Sequence, residues 1–278
     1  MLEKEYNSDK YLILEVYAPW EHYKGYFGSL MSPFNFFMVN GLYMDSNAAT
    51  LKDIVTNYMN NIPQGRWPNW VIENHDNTRA GSRMGAEMID AMNMLILLLP
   101  GSSVVYQGEE IGMVDTHVRS YQILDCCGRD PERTPMQWNS DRNAGFSKAN
   151  RTWLPVNTDY WKTNVNAQSY VKNSHLNTFR KLVELRKTLI SSTELETATI
   201  GDWVFVFKRE NKGQVYIIMI NLNNREELAV LDGSLKDLPA SLTVYIPSDN
   251  AAYTTGTSIK TSNPIHLRPR SGLVLKGV

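Results

Sequence analysis

The residues able to do chemistry sit at the ends of apolar runs. Trp70-Val71-Ile72 leads into Glu73-Asn74-His75-Asp76-Asn77-Thr78-Arg79, and Tyr11 to Leu14 leads into Glu15. A third run, Ser103 to Tyr106, ends in Gln107-Gly108-Glu109-Glu110. Strands of a parallel sheet all finish at one edge, and such sheets bind ligands there. Glu15, His75 with Asp76, and Glu109 with Glu110 are therefore expected to converge. Two carboxylates facing one cleft suit glycoside hydrolysis: one protonates the leaving oxygen as an acid while the other acts as nucleophile or base. Glu15, alone in an apolar run, is expected in a dry setting that favours its neutral form. Each motif also has a plainer reading. Asp76 and Asn77 suit a turn cap, His75 a satisfied core position, and Glu15 an ion pair.

The elements that must position these groups follow from periodicity. Tyr11–Val16 reads as a buried strand, as does Phe34–Val39. Ser46-Asn47 then caps a segment with Leu51, Ile54, Val55, Tyr58 and Met59 on one face, the spacing of an amphipathic helix. The Trp70 run supplies a third strand, and Gly85 to Leu99 a mostly buried helix stopped by Pro100-Gly101. Ser103–Tyr106 supplies a fourth strand. Alternating strands and helices imply βαβ units around a parallel sheet, doubly wound or barrel. Residues 107–172 break this rhythm, and a loop of that length is expected to wall one side of the pocket. Ser174 caps a further helix carrying Leu176, Phe179, Leu182, Val183 and Leu185. From about Ser191 the pattern turns to antiparallel β: Trp203–Phe207, a turn at Asn211–Gly213, Val215–Ile220, then runs at Leu242–Tyr245 and Leu273–Leu275. Two domains are expected, 1–190 and 191–278.

Composition narrows the partners. The 278 residues are 42% hydrophobic and 10% aromatic with a net charge of −1, enough for a packed core and without the basic footprint of nucleic-acid binding. Neutral substrates are favoured. The two cysteines, Cys126 and Cys127, are neighbours with no second pair and no histidine at ligand spacing, so neither a zinc site nor a disulfide framework is expected. Met94–Leu99 is too short to span a bilayer, and the N-terminus lacks the basic-then-apolar layout of a signal peptide.

The run Asn74-His-Asp-Asn-Thr-Arg79-Ala-Gly-Ser-Arg83-Met-Gly85 resembles the fourth signature region of the α-amylase superfamily, in the version seen in α-glucosidases and maltases. Leu14-Glu15-Val16-Tyr17 is similar to the third region. Arg129-Asp-Pro-Glu-Arg-Thr-Pro-Met-Gln-Trp138 resembles the loop that these glucosidases carry after the last barrel strand. Insect digestive maltases are the nearest in texture. The resemblance implies the C-terminal half of a (β/α)8 barrel, strands five to eight, followed by a small antiparallel β-sandwich domain. It implies a retaining hydrolase that releases terminal glucose from maltose, sucrose or short α-glucans. Glu15 would be the general acid/base, and Asp76 the carboxylate that stabilises the transition state. His75 would hydrogen-bond the same glucose ring, and Arg79 would help to close the pocket around it. Arg83, Glu109 and Glu110 are given structural roles.

The chain also departs from that pattern. The family's nucleophile is an Asp in a Gly-x-Arg-x-Asp-Ala-like run on the strand before the Glu strand, and only fourteen residues precede Glu15. Gly128-Arg129-Asp130-Pro131 has the wrong spacing. The family's calcium-prone region, Asp-x-x-x-Asn-His, is absent too, so no cofactor or metal is expected here. The expectation is a site without its nucleophile, inactive alone and in need of an N-terminal barrel half, in a parent that is extracellular or membrane-anchored. The alternative is a non-catalytic relative of the same superfamily, such as an amino-acid transporter heavy chain or a receptor.

Overall fold

A computed structural model describes residues 11–277. Two short parallel pairs form the first layer. Strand β1 (Leu12–Leu14) pairs with β2 (Met31–Pro33), and β3 (Asn69–Val71) pairs with β4 (Ser102–Val104). No ladder joins β2 to β3. The Asn69 side chain bridges them instead: its Oδ1 accepts from the Asn35 amide at 2.7 Å, and its Nδ2 donates to the Pro33 carbonyl at 2.9 Å.

Helix α1 (Trp20–Tyr23) and helix α2 (Phe37–Gly41) flank β2. The Phe34–Val39 run expected as a strand is thus loop and then helix from Phe37, and the strand lies just before it. Pro33 ends the ladder, and the Asn35 carboxamide accepts the Phe37 amide at 3.2 Å and starts the helical turn. A short apolar run does not by itself separate the two states. Helix α3 (Ala48–Asn61) begins where the sequence predicts, with Asn47 Oδ1 accepting from the Thr50 amide at 2.9 Å. It buries Leu51, Val55 and Tyr58.

After β3 come α4 (Ala80–Met84) and α5 (Ile89–Leu98), every residue of which is buried. Leu99 is extended because Pro100 follows it. Gly101, at φ +122°, lies against the Pro68 carbonyl where a Cβ would collide, and so lets β4 run alongside β3. The long segment 107–172 holds 3-10 turns and α6 (Val165–Ser169). It is followed by α7 (His175–Leu189), capped by Ser174 as predicted.

An antiparallel sheet follows, in the order β10-β9-β12-β7-β6-β5: β5 (Glu196–Ile200), β6 (Val204–Asn211), β7 (Gln214–Asn221), β9 (Ser241–Pro247), β10 (Ser258–Lys260) and β12 (Gly272–Gly277). The β6–β7 turn at Lys212-Gly213 has both residues at positive φ, as a two-residue hairpin requires. One face, with Phe205, Phe207, Ile218, Ile220 and Val274, shares a core with α3, α5 and α7. The opposite face packs under the ribbon of β8 (Glu227–Ala229) and β11 (Ile265–Leu267). Arg209 lies on the helix side of β6 by the same alternation. It donates to the carbonyls of Leu98, Leu189 and Ser192, capping α5 and α7 with one buried guanidinium. Burial and the charge of Arg186 pull its pKa down to about 10. Among the described residues no helix is long and apolar enough to cross a membrane.

Candidate functional site

The apolar residues Trp70, Val71 and Ile72 leave β3 fully packed, so the chain turns only at its polar tip. The tip is shaped by Asn74, whose Oδ1 accepts the Asp76 amide at 3.0 Å and the Asn77 side chain at 2.9 Å. Asn74 therefore does the capping that the plainer reading gave to Asp76 and Asn77, and the Asp76 carboxylate is free for other partners.

Those partners come from the long segment. Arg129 Nη1 donates to Asp76 Oδ1 at 2.8 Å, and Arg133 Nη2 donates to the same oxygen at 2.6 Å. Arg133 Nε also holds the His75 carbonyl at 2.6 Å, and His75 Nε2 lies 3.6 Å from Asp76 Oδ2. Partial burial works against the charged form of Asp76, but His75, Arg133 and Arg129 outweigh it and hold the carboxyl below its ordinary pKa. Asp76 is thus an anion with one oxygen engaged by guanidinium groups and the other beside an exposed imidazole. That arrangement suits the stabilisation of positive charge, not the delivery of a proton. Asp125 in turn holds Arg129 through both oxygens, at 2.8 Å and 3.0 Å.

Glu15 follows β1 and is exposed, not enclosed in an apolar run as expected. Its strand is an edge with few covering groups: Leu12 is 39% and Ile13 45% exposed. The segments that follow β1 and β3 meet through their neighbours. Asn74, two residues before Asp76, donates to the hydroxyl of Tyr17, two residues after Glu15, at 3.3 Å. Tyr17 also stacks on Phe36 at 4.8 Å.

Arg79 lies apart from these contacts. It sits at the start of α4, 1% exposed, with its guanidinium folded between the ends of β3 and β4. Nη1 donates to Glu73 Oε2 at 3.3 Å and to the Gln107 carbonyl at 2.9 Å, and the guanidinium lies 4.6 Å over the Tyr106 ring. The expected pocket-closing arginine is, in this structure, a strut beneath the site. Glu73, its partner, also accepts the Ala80 amide at 2.8 Å. Burial pushes Glu73 up toward neutrality despite Arg79. Glu109 is buried beside it and is also raised well above its ordinary value, first by burial and then by the charge of Glu73. Arg83 donates to the carbonyls of Leu42, Thr78 and Ile72, a structural role. Glu110 Oε2 accepts the Gly108 amide at 2.9 Å and braces its own turn.

The sequence reading placed Arg129 and Arg133 in a recognisable loop but gave neither a role, and it missed Asp125 and Glu73. The stretch that holds Asp125, Arg129 and Arg133 is not an α-helix, so their spacing of four carried no signal of the pairing that the structure shows.

Comparison with known proteins bears on the same segments. The catalytic domain of alpha amylase matches residues 15–193, a stretch that contains Glu15, Asp76 and both arginines. Maltase 1 of Drosophila virilis is 36% identical over 259 residues, 88% of this chain and 41% of that protein. The alpha-glucosidase of Apis mellifera is 35% identical over 263 residues, 89% and 46% of the two chains. An amino acid transporter heavy chain of Mus musculus is 34% identical over 231 residues, 82% and 33%. The chain therefore spans about half the length, or less, of these curated relatives. Among solved structures, an alpha-glucosyl transfer enzyme, XgtA, superposes with a TM-score of 0.80 at 24% identity, covering 100% of this chain and 52% of that one. An inactive MutB mutant in complex with isomaltulose gives 0.78 at 20%, covering 97% and 56%. These share the fold. With a sequence match running from Glu15 through the long segment and α7, the chain belongs to the α-amylase family.

Proposed function

We propose that the protein containing this chain is a retaining α-glucosidase that releases terminal glucose from maltose, sucrose or short α-glucans. The observation that carries the proposal is the Asp76 carboxylate, kept ionised by Arg129, Arg133 and His75 on a segment that meets the one carrying Glu15. In this reading Glu15 protonates the leaving oxygen and later activates water. Asp76 accepts hydrogen bonds from sugar hydroxyls and stabilises the oxocarbenium-like transition state, and His75 binds the same ring. Arg79 supports the site from below. The strands β1 to β4 take the place of strands five to eight of a (β/α)8 barrel, and the exposed apolar edge of β1 meets the remaining strands. The nucleophile comes from that remaining part, since no Gly-x-Arg-x-Asp run occurs in these 278 residues. The parent protein acts outside the cell or anchored to its membrane, in keeping with relatives named salivary alpha-glucosidase.

In the full-length protein, Asp76→Asn lowers kcat by several orders of magnitude while the far-ultraviolet circular dichroism is unchanged. Near-normal turnover of maltose by that variant removes Asp76 from the mechanism. The 278-residue chain assayed alone releases no glucose from maltose, and turnover that survives Glu15→Gln refutes the division of the site.

A second reading is favoured by the similarity to an amino acid transporter heavy chain. In it the barrel anchors a partner and has no activity. The presence of both Glu15 and Asp76 supports the hydrolase instead. Glucose release by the full-length protein separates the two.

A further inference from the structure

Cys126 and Cys127 take no part in the proposed reaction, yet they hang from a tightly tied turn. Asp125 Oδ2 accepts the amides of Cys127 at 3.0 Å and Arg129 at 3.1 Å, and Asp130 accepts the amides of Leu124 and Asp125. Gly128 closes the turn at φ +75°. Both thiols are free and exposed, with Sγ atoms 3.4 Å apart. A ligand oxygen of Asp125 lies within 4.8 Å of both sulfurs. Two thiolates bound tetrahedrally at about 2.3 Å to a zinc-like ion stand roughly 3.8 Å apart. The pair therefore needs to open by only a few tenths of an ångström.

We propose that Asp125, Cys126 and Cys127 form a surface site for a thiophilic divalent cation of the zinc and cadmium type, and that its occupation draws Asp125 away from Arg129. Soft thiolates select such ions, and two thiolates, one carboxylate and solvent complete a tetrahedron. The site is open on the solvent side, unlike a closed structural zinc site. On binding, two S–H bonds break, two metal–sulfur bonds form, and two protons pass to the buffer with no change of oxidation state. The same carboxylate holds Arg129 at 2.8 Å, and Arg129 holds Asp76 at 2.8 Å. Metal and arginine compete for Asp125, which links the cation to the Asp76 carboxylate.

The test is titration of the reduced chain with Cd2+, followed by the ultraviolet thiolate-to-cadmium absorption and by proton release. One ion per chain and two protons per ion are expected. Cys126→Ser and Cys127→Ser, at exposed positions, each weaken binding by at least about a hundredfold, and Asp125→Asn weakens it about tenfold. Should Asp125→Asn perturb the turn, Asp125→Glu keeps the carboxylate and keeps the affinity. Arg129→Gln removes the guanidinium from both oxygens of Asp125, leaving Arg133 at 3.7 Å and the backbone amides, and so binds Cd2+ more tightly than the parent chain. Substoichiometric binding, an affinity unchanged in either serine variant, or equal affinity in the urea-unfolded chain overturns the site. Weaker binding by Arg129→Gln overturns the competition. None of these readouts depends on glucosidase activity.

Discussion

At the scale of single residues, the place of Asp76 just beyond β3 was legible because Trp70–Ile72 is an apolar run that gives way to polar residues, a pattern consistent with a buried strand. Its partners were not legible, because Arg129 and Arg133 lie more than fifty positions away in a segment with no periodicity from which to infer its path. Arg79 was misread for a related reason. Its closeness to Asp76 in sequence says nothing about direction, and the start of α4 turns it into the space beside Glu73. The arginines make the ionisation of Asp76 their business. Arg129→Gln removes one lowering influence, so the Asp76 carboxyl rises toward its ordinary value and protonates at higher pH. In the full-length protein the acid limb of the kcat/KM profile should therefore move to higher pH in Arg129→Gln. An acid limb that stays in place, or moves lower, separates Asp76 from that limb.

At the scale of elements, the helices capped by Asn47 and Ser174 and the β6–β7 hairpin were read correctly, because each carries its own local signal: a cap, a stripe or a turn. The misread element, Phe34–Val39, had only an apolar run, and the Asn35 side chain decided its state. What joins the parallel pairs was also hidden, since it is a side chain and not a ladder. Asn69 takes three partners across the gap between β2 and β3: the Asn35 amide, the Pro33 carbonyl and the Ser32 hydroxyl, the last at 3.3 Å. Asn69→Ala leaves the buried Asn35 amide unpaired, while the Pro33 carbonyl keeps the Tyr23 hydroxyl at 3.1 Å, at a cost of roughly 1–3 kcal/mol. Urea unfolding monitored by tryptophan fluorescence should show that loss. A loss below about 0.5 kcal/mol means that the pairs are held by packing alone.

At the scale of the whole molecule, buried carboxyls set how stability changes with pH. Burial pushes Glu132 up to about 7, and Glu73, Glu109 and Asp115 are raised as well, each with burial as the leading cause. A carboxyl raised in the folded state binds its proton more tightly than in the unfolded chain. Its contribution is therefore complete below the unfolded value near 4.5 and is lost as pH climbs to about 7. For Glu132 alone that is about 3 kcal/mol. His175 adds a loss of the same sign: burial opposes its charge, but the hydrogen bond and charge of Asp90, with Asp249, raise it, so its stabilisation fades as pH rises above the unfolded value. Asp76 acts the other way, being depressed, and its contribution disappears only as pH falls below the ordinary carboxylate range. The raised groups together make the chain more stable on the acid side of neutrality than above it. The urea midpoint of the chain should fall between pH 5 and pH 8, and in Glu132→Gln, which cannot titrate there, the fall should be smaller by about that one group's share. A midpoint that rises over this interval would show that the buried carboxyls are stabilised as anions by the arginines around them, and the same slope in Glu132→Gln would place the titrating group elsewhere.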